Sequence, residues 1–308
     1  MGASTRPCNK HRQSNAHTRR GLAVLLFGAL VITLPALATP REELVDTTST
    51  QSVASDTTHE ISITVVKPGE ETVDLTARLT TMSTNVARDV AWQVRTSQGE
   101  LVLDQTASEL SSKLPPGDYV VEANYGAVAL REKIHIVEGN SLSVNFVLNA
   151  GGLRVLSQMQ NLPIGDMPAK TMVYALSGVE KGKLLAHSTV AGELFKLPAG
   201  MYRVESRLGD GNATAVTDVR VRPGKMSAIE VTHKAGIARL NFVGAADAQV
   251  VWDVRPENGP KLTSFEGLTH TMVLKPGSYR AEAHVNGEVL SASFKIDAGE
   301  QRDIMLGN

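Results

Sequence analysis

Three glutamates occupy one position of a recurring motif: Glu122 in LPPGDYVVEA, Glu205 in LPAGMYRVES and Glu282 in LKPGSYRAEA. A carboxyl repeated in one context is a candidate for proton transfer, since held beside an amine or carbonyl it can serve as general acid and base. Six histidines (His59, His135, His187, His233, His270, His284) share the same body of sequence, GDGN at 209–212 suggests a cation loop, and Trp92, Tyr174 and Trp252 could stack on sugar rings. Spacing argues against each of these chemistries. The histidines do not recur at i,i+2 or i,i+4, and no carboxylate accompanies them in a metal or triad motif. One Asp and one Asn are too few for a hard cation, so GDGN reads as a hairpin turn. Val90 and Val94 flank Trp92 at i±2, as Met172 and Leu176 flank Tyr174 and Val250 and Val254 flank Trp252, so all three aromatics read as buried. Phosphate loops, G-x-S-x-G elbows and paired metal carboxylates are missing. The expectation is a chain with no catalytic, cofactor-binding or metal residues.

The elements that would position the glutamates form a repeat. Tyr119, Tyr202 and Tyr279 are 83 and 77 residues apart; Trp92, Tyr174 and Trp252 precede them by 27, 28 and 27, and Gly139, Gly224 and Gly299 follow by 20, 22 and 20. One unit of about 80 residues therefore occurs three times. Between these landmarks apolar residues alternate with polar ones, and NYG at 124–126, LGDGN at 208–212 and VNG at 285–287 mark turns. About seven short strands per unit predict an all-β protein of three tandem antiparallel β-sandwiches, over 60–150, 151–235 and 236–308. Period-two alternation places Tyr119, Val121 and Ala123 on one face and Glu122 on the other, toward water, and sets Arg203 beside Glu205 and Arg280 beside Glu282 on that exposed face. Ala-Gly at 150–151 and 235–236 joins the units through connections short enough to make the array semi-rigid. ISITVVKPGEETVDLTARL at 61–79 gives the first unit an extra strand that stands in for a preceding repeat.

LPPGDYVVEANYG and IHIVEGNSLSVNFVLNAG resemble the turn-and-strand of prealbumin-like and immunoglobulin-like repeats, among them carboxypeptidase-regulatory-like and collagen-adhesin B-type modules. They are especially similar to tandem repeats of alphaproteobacterial envelope proteins, some of which also carry a von Willebrand A domain. The resemblance covers about 60–308 and implies a repeat array without an adhesive head. In collagen-adhesin B-type modules a Glu four residues after the Tyr lies in the core and promotes a Lys–Asn isopeptide crosslink. Here the Glu comes three residues after. One residue of slip turns it to the opposite face, so the resemblance does not extend to that chemistry.

Upstream of the repeats the composition changes. The first 40 residues hold five of the 31 basic residues and no acid, leaving 26 basic against 32 acidic residues in the rest, a net charge of −6. A mildly acidic body without a basic cluster excludes nucleic acid as a partner. The basic leader meets an apolar run at Gly21–Leu34, followed by Ala36-Leu37-Ala38. Residues 1–38 thus read as a signal peptide cleaved between Ala38 and Thr39, with Ala36 and Ala38 as the small residues the peptidase accepts, or as an N-terminal anchor retained in the inner membrane. TRRGLA partly resembles a twin-arginine signal. Residues 41–60 contain eight Ser or Thr, so 39–59 reads as a flexible linker. Cys8, in the leader, is the only cysteine, which excludes a disulfide, a thiolate metal site and a cysteine nucleophile from the exported body. The expectation is a non-enzymatic periplasmic repeat protein acting as a spacer or protein-binding scaffold with envelope proteins as partners and membrane contact only through an uncleaved leader. The alternative is an accessory carbohydrate- or peptidoglycan-binding module.

Overall fold

The structure, a computed structural model, describes residues 59–307. The expected cleavage residues Ala36, Ala38 and Thr39 and most of the linker lie outside them. The first set of strands is β1 (His59–Val65), β2 (Thr72–Arg78), β3 (Val90–Thr96), β4 (Leu101–Ala107), β5 (Glu109–Lys113), β6 (Gly117–Tyr125), β7 (Val128–Ile136) and β8 (Asn140–Val147). The second is β9 (Ala150–Met159), β10 (Ala169–Ala175), β11 (Leu184–Ser188), β12 (Leu194–Pro198), β13 (Gly200–Leu208), β14 (Thr214–Val221) and β15 (Met226–His233). The third is β16 (Gly236–Val243), β17 (Val250–Pro256), β18 (Thr263–Glu266), β19 (Thr269–Leu274), β20 (Gly277–Val285), β21 (Glu288–Ile296) and β22 (Gln301–Gly307).

Each set makes two sheets. They are ordered β1-β8-β2-β5 and β4-β3-β6-β7, then β12-β9-β15 and β11-β10-β13-β14, then β19-β16-β22 and β18-β17-β20-β21. The chain is all-β here, in three tandem β-sandwiches. Alternation decides which face is inside: on β2, Val73, Leu75 and Ala77 are buried while Asp74 and Thr76 face outward. Three separate cores result, with Trp92 and Phe146 in the first, Leu153 and Leu197 in the second, and Trp252, Met272 and Ile296 in the third.

The sandwiches depart from the purely antiparallel expectation in one respect. β2 pairs in parallel with β8, β9 with β15 and β16 with β22. A parallel pair needs a long crossover, and here most of the unit forms it. In the second and third units these strands stand first and last, so the chain leaves at the end opposite its entry; in the first unit β1 precedes the parallel pair. The next unit can then begin without a return loop.

Two residues carry the chain across each boundary. Ala150 and Ala235 are fully buried, and a Cβ added to Gly151 or Gly236 would lie 2.3 Å from the Arg222 carbonyl or 2.5 Å from that of Asp297. Only glycine fits where the entering strand passes beneath the unit's own last turn. That turn is anchored the same way in both units: Gly224 N donates to Ala150 O and Gly299 N to Ala235 O, both at 2.8 Å. In the first unit the Glu71 carboxylate takes the place of that carbonyl, accepting from Gly139 N at 2.8 Å and Gly69 N at 3.0 Å. These backbone donors lower the Glu71 pKa. β1 runs antiparallel along β8, an added strand that the second and third units do not have among the described residues.

Candidate functional site

The recurring motif is a corner. Tyr119, Tyr202 and Tyr279 are buried, and each hydroxyl donates to the carbonyl four residues earlier: Pro115 at 2.9 Å, Pro198 at 2.6 Å and Lys275 at 2.7 Å. Burial pushes the Tyr202 hydroxyl up to about 12, so it remains a donor across the ordinary pH range. Leu114, Leu197 and Leu274 of the same motif enter the cores.

Glu122, Glu205 and Glu282 lie on the outer sheet faces, partly exposed. Arg203 with Glu205 and Arg280 with Glu282 share the outer face, as the alternation predicts. The ion pairs run across the sheet: Glu122 with Arg131, Glu282 with Arg255, and Arg203 with Asp218 at 2.9 Å. Glu122 and Arg131, like Arg203 and Asp218, are directly opposed in the sheet, whereas Arg255 stands opposite Arg280 and reaches diagonally to Glu282, within range of a long side chain. The core positions four residues after each Tyr are Ala123, Ser206 and Ala283, so no acid occupies the place from which an isopeptide bond would be catalysed.

The aromatics separate into two kinds. Trp92 and Trp252 are fully buried opposite Ala123 and Ala283, and their indole N–H groups donate to Ala107 O at 3.1 Å and Gly267 O at 2.9 Å. Tyr174 is different. Thr171 is the residue opposite Ser206 in the second unit, and the buried face of β10 is Thr171, Val173 and Ala175. Tyr174 lies on the outer side, only partly buried, its hydroxyl 3.6 Å from Met172 Sδ. The expected burial of Tyr174 with Met172 and Leu176 is therefore corrected. Thr171 precedes Tyr202 by 31 residues where each Trp precedes its Tyr by 27, so Tyr174, matched at a spacing of 28, stands three positions after the true counterpart. An odd displacement reverses the face.

Where the first and third units hold a Trp, the second holds a polar network. Ser157 Oγ lies 2.7 Å from Ser206 Oγ, which is 2.9 Å from His233 Nε2, with Ser206 and His233 almost wholly buried. Counted from the landmark glycines, His233 stands where the first unit has Leu148, also buried. Burial lowers the His233 pKa, opposed by the nearby Ala213 carbonyl, and Nδ1 has no hydrogen-bond partner. A serine beside a neutral histidine has the elements of a nucleophile and a base, but both are sealed from any substrate. The network is a core component.

Other histidines meet carboxylates distant in sequence: His59 with Glu132, His135 with Asp118, and His270 with Asp210. On the outer face of the third unit Asp253, Glu282 and His284 bring possible ligand atoms within 4.8 Å of one another. Lys261 and Arg255 already pair with its two carboxylates. Burial raises the Asp253 pKa, but hydrogen bonds from Ser264 and Lys261 outweigh it and hold the group below the usual range. The Glu-x-His spacing at 282–284 was visible in the sequence; its partner Asp253, 29 residues earlier, was brought to it only by the β17–β20 register.

Each sandwich touches the next through a hairpin. After β6, Ala127 N donates to Lys196 O at 2.9 Å, and Lys196 Nζ lies 4.3 Å from the Tyr125 ring centre. The GDGN turn makes the corresponding contact to the third unit. Asn212 Oδ1 accepts from Lys275 N at 2.8 Å, its Nδ2 donates to the Tyr279 hydroxyl at 3.1 Å, and a Cβ on Gly211 would lie 1.8 Å from Val273 O. Met159, Leu208 and Ala213 of one unit and Ile237 and Val273 of the next form a small apolar core at this joint. A cleft of about 460 Å³ opens beside it, with Asp166, Asp210 and Arg239 as its charged lining residues and no paired nucleophile and base.

No curated protein matches the sequence. Among solved structures the chain is similar to the Bacillus anthracis TIE protein, at 16% identity over 77% of this chain and 50% of that one, with a TM-score of 0.23. It is similar to a streptococcal ancillary pilin at 14% identity (77% and 98% covered, TM-score 0.27) and to BcpA, the major pilin subunit of Bacillus cereus, at 10% (77% and 99%, TM-score 0.23). Likeness at this level bears on neither activity nor partners. In sequence, residues 241–307, which make up most of the third sandwich, match the Rhizobiales growth-associated tandem repeat domain.

Proposed function

We propose that this chain is a non-enzymatic envelope repeat protein, exported by its N-terminal segment, whose three sandwiches act in the periplasm as a spacer and protein-binding scaffold. The observation that carries the reading is the joint. The parallel pairs β2–β8 and β9–β15 carry the chain between opposite ends of a unit, and the hairpins after β6 and β13 are hydrogen-bonded to the next unit. Repeats joined in this way hold surfaces at fixed separations, which suits a scaffold, and binding distributed over several units sums into avidity. The alternative of a carbohydrate- or peptidoglycan-binding module loses its main support, because Trp92 and Trp252 are enclosed in their cores.

Cosedimentation of the purified chain with isolated cell-wall polymer and, separately, with envelope extracts tests this reading. Retention by envelope protein without retention by polymer is the expected result; saturable retention by polymer overturns it. N-terminal sequencing of the exported protein, with Thr39 expected as the new terminus, distinguishes a cleaved leader from an anchor.

A further inference from the structure

The three units differ in one respect that bears on what they bind. Five residues past the landmark glycines, Val144, Ile229 and Ile304 hold the same place in each unit, opposite Leu75, Val155 and Leu240 on their parallel neighbours. On the other side of β8, β1 is paired along seven residues, from His59↔Phe146 to Val65↔Asn140. β15 and β22 have no strand on that side among the described residues. β1 is itself weakly covered, with Ile63 62% and Val65 83% exposed. What holds it is the ladder to β8 and the placement of alternate residues opposite buried ones, Ile61 against Val144 and Ile63 against Leu142. This fold therefore accepts an added antiparallel strand at that edge on main-chain pairing and a few alternate side chains, as in β-augmentation.

We infer that the open edge of β15 is a docking site for an extended segment of a partner protein, which adds antiparallel as β1 does on β8. The guest's inward positions would lie opposite Ser227, Ile229 and Val231, the counterparts of Leu142, Val144 and Phe146, so it carries apolar residues at alternate positions. β15 is favoured over β22 by charge. Arg302 and Asp303 stand side by side on β22, the arrangement by which proteins discourage strand addition, whereas β15 has Glu230 as its single Asp, Glu, Lys or Arg. On the outer face Leu156 and Met226 are exposed beside the β15 edge, adding apolar surface for the guest's outward side chains. The inference rests on the scaffold reading and specifies the chemistry of its partner.

A fluorescent peptide of residues 59–66 is a direct probe, because it is the strand this fold already accepts. Added to the full chain, it is expected to bind saturably, and at ten times its Kd to slow amide exchange across Met226–His233 about tenfold while leaving β22 unchanged. The same peptide N-methylated at alternate residues should not bind. Absence of binding overturns the inference, as does protection that falls on β8 or β22 instead of β15. The scaffold reading stands or falls separately, on the polymer and envelope cosedimentation and on the stiffness of the joints.

Discussion

His233 replaces a buried leucine of the first sandwich and is held neutral by burial, so its effect on stability has a definite sign. With the folded pKa lowered from 6.5, the unfolded chain binds more protons at acidic pH, and stability is lost as pH falls below 6.5 toward the folded pKa. Glu71, also lowered by its hydrogen bonds, contributes stability that is present above the ordinary glutamate value of 4.5 and lost below it, so the two windows separate. His233→Leu, restoring the residue type of the first unit, should flatten the fall in Tm that begins as pH drops below 6.5 and leave the loss below 4.5. A pH series of melting curves checks this, and an unchanged slope would mean that His233 does not titrate in this range. The tryptophans give a second comparison. Trp252→Ala should cost about 3–5 kcal/mol by chemical denaturation. Tyr174→Ala, on the outer face, should cost under about 1 kcal/mol.

Strands, turns and corners were legible because each carries a local signal: alternation, Gly-rich hairpins and the Tyr three residues after Pro-x or Lys-Pro. The outward register of the repeated Glu was legible too, being a matter of counting from the Tyr. Tyr174 was misread because its position was inferred from constant spacing, and inserted loop residues leave no mark in a period-two pattern. The Ser157–Ser206–His233 network and the Asp253–Glu282–His284 cluster were hidden for a different reason. Each assembles residues from different strands, and strand register follows from pairing across the whole unit. GDGN was recognisable as a turn, but its use as a latch to Tyr279 was not. Gly211→Ala should therefore destabilise the joint by about 1–3 kcal/mol through overpacking against Val273, lowering protection of the 2–3 boundary in hydrogen exchange more than that of the sandwich interiors. Uniform loss across the second unit would place Gly211 in the unit's own fold instead of the joint.

For the whole molecule, the central claim is that the three sandwiches are held at set separations by their joints. Two features support it: a parallel pair carries the chain between opposite ends of each unit, from β2 to β8, β9 to β15 and β16 to β22, and hydrogen bonds span both boundaries. The first unit differs in carrying β1 along β8 and the Glu71 carboxylate at the last turn. The absence of cysteine beyond Cys8 makes the claim easy to measure. Lys133 and Ser293, both exposed and on the first and third sandwiches, can be replaced by cysteine in a Cys8→Ser chain and spin-labelled. Pulsed electron–electron resonance should give a single narrow distance distribution between them; a broad one, of the width expected for domains on free tethers, would contradict the account.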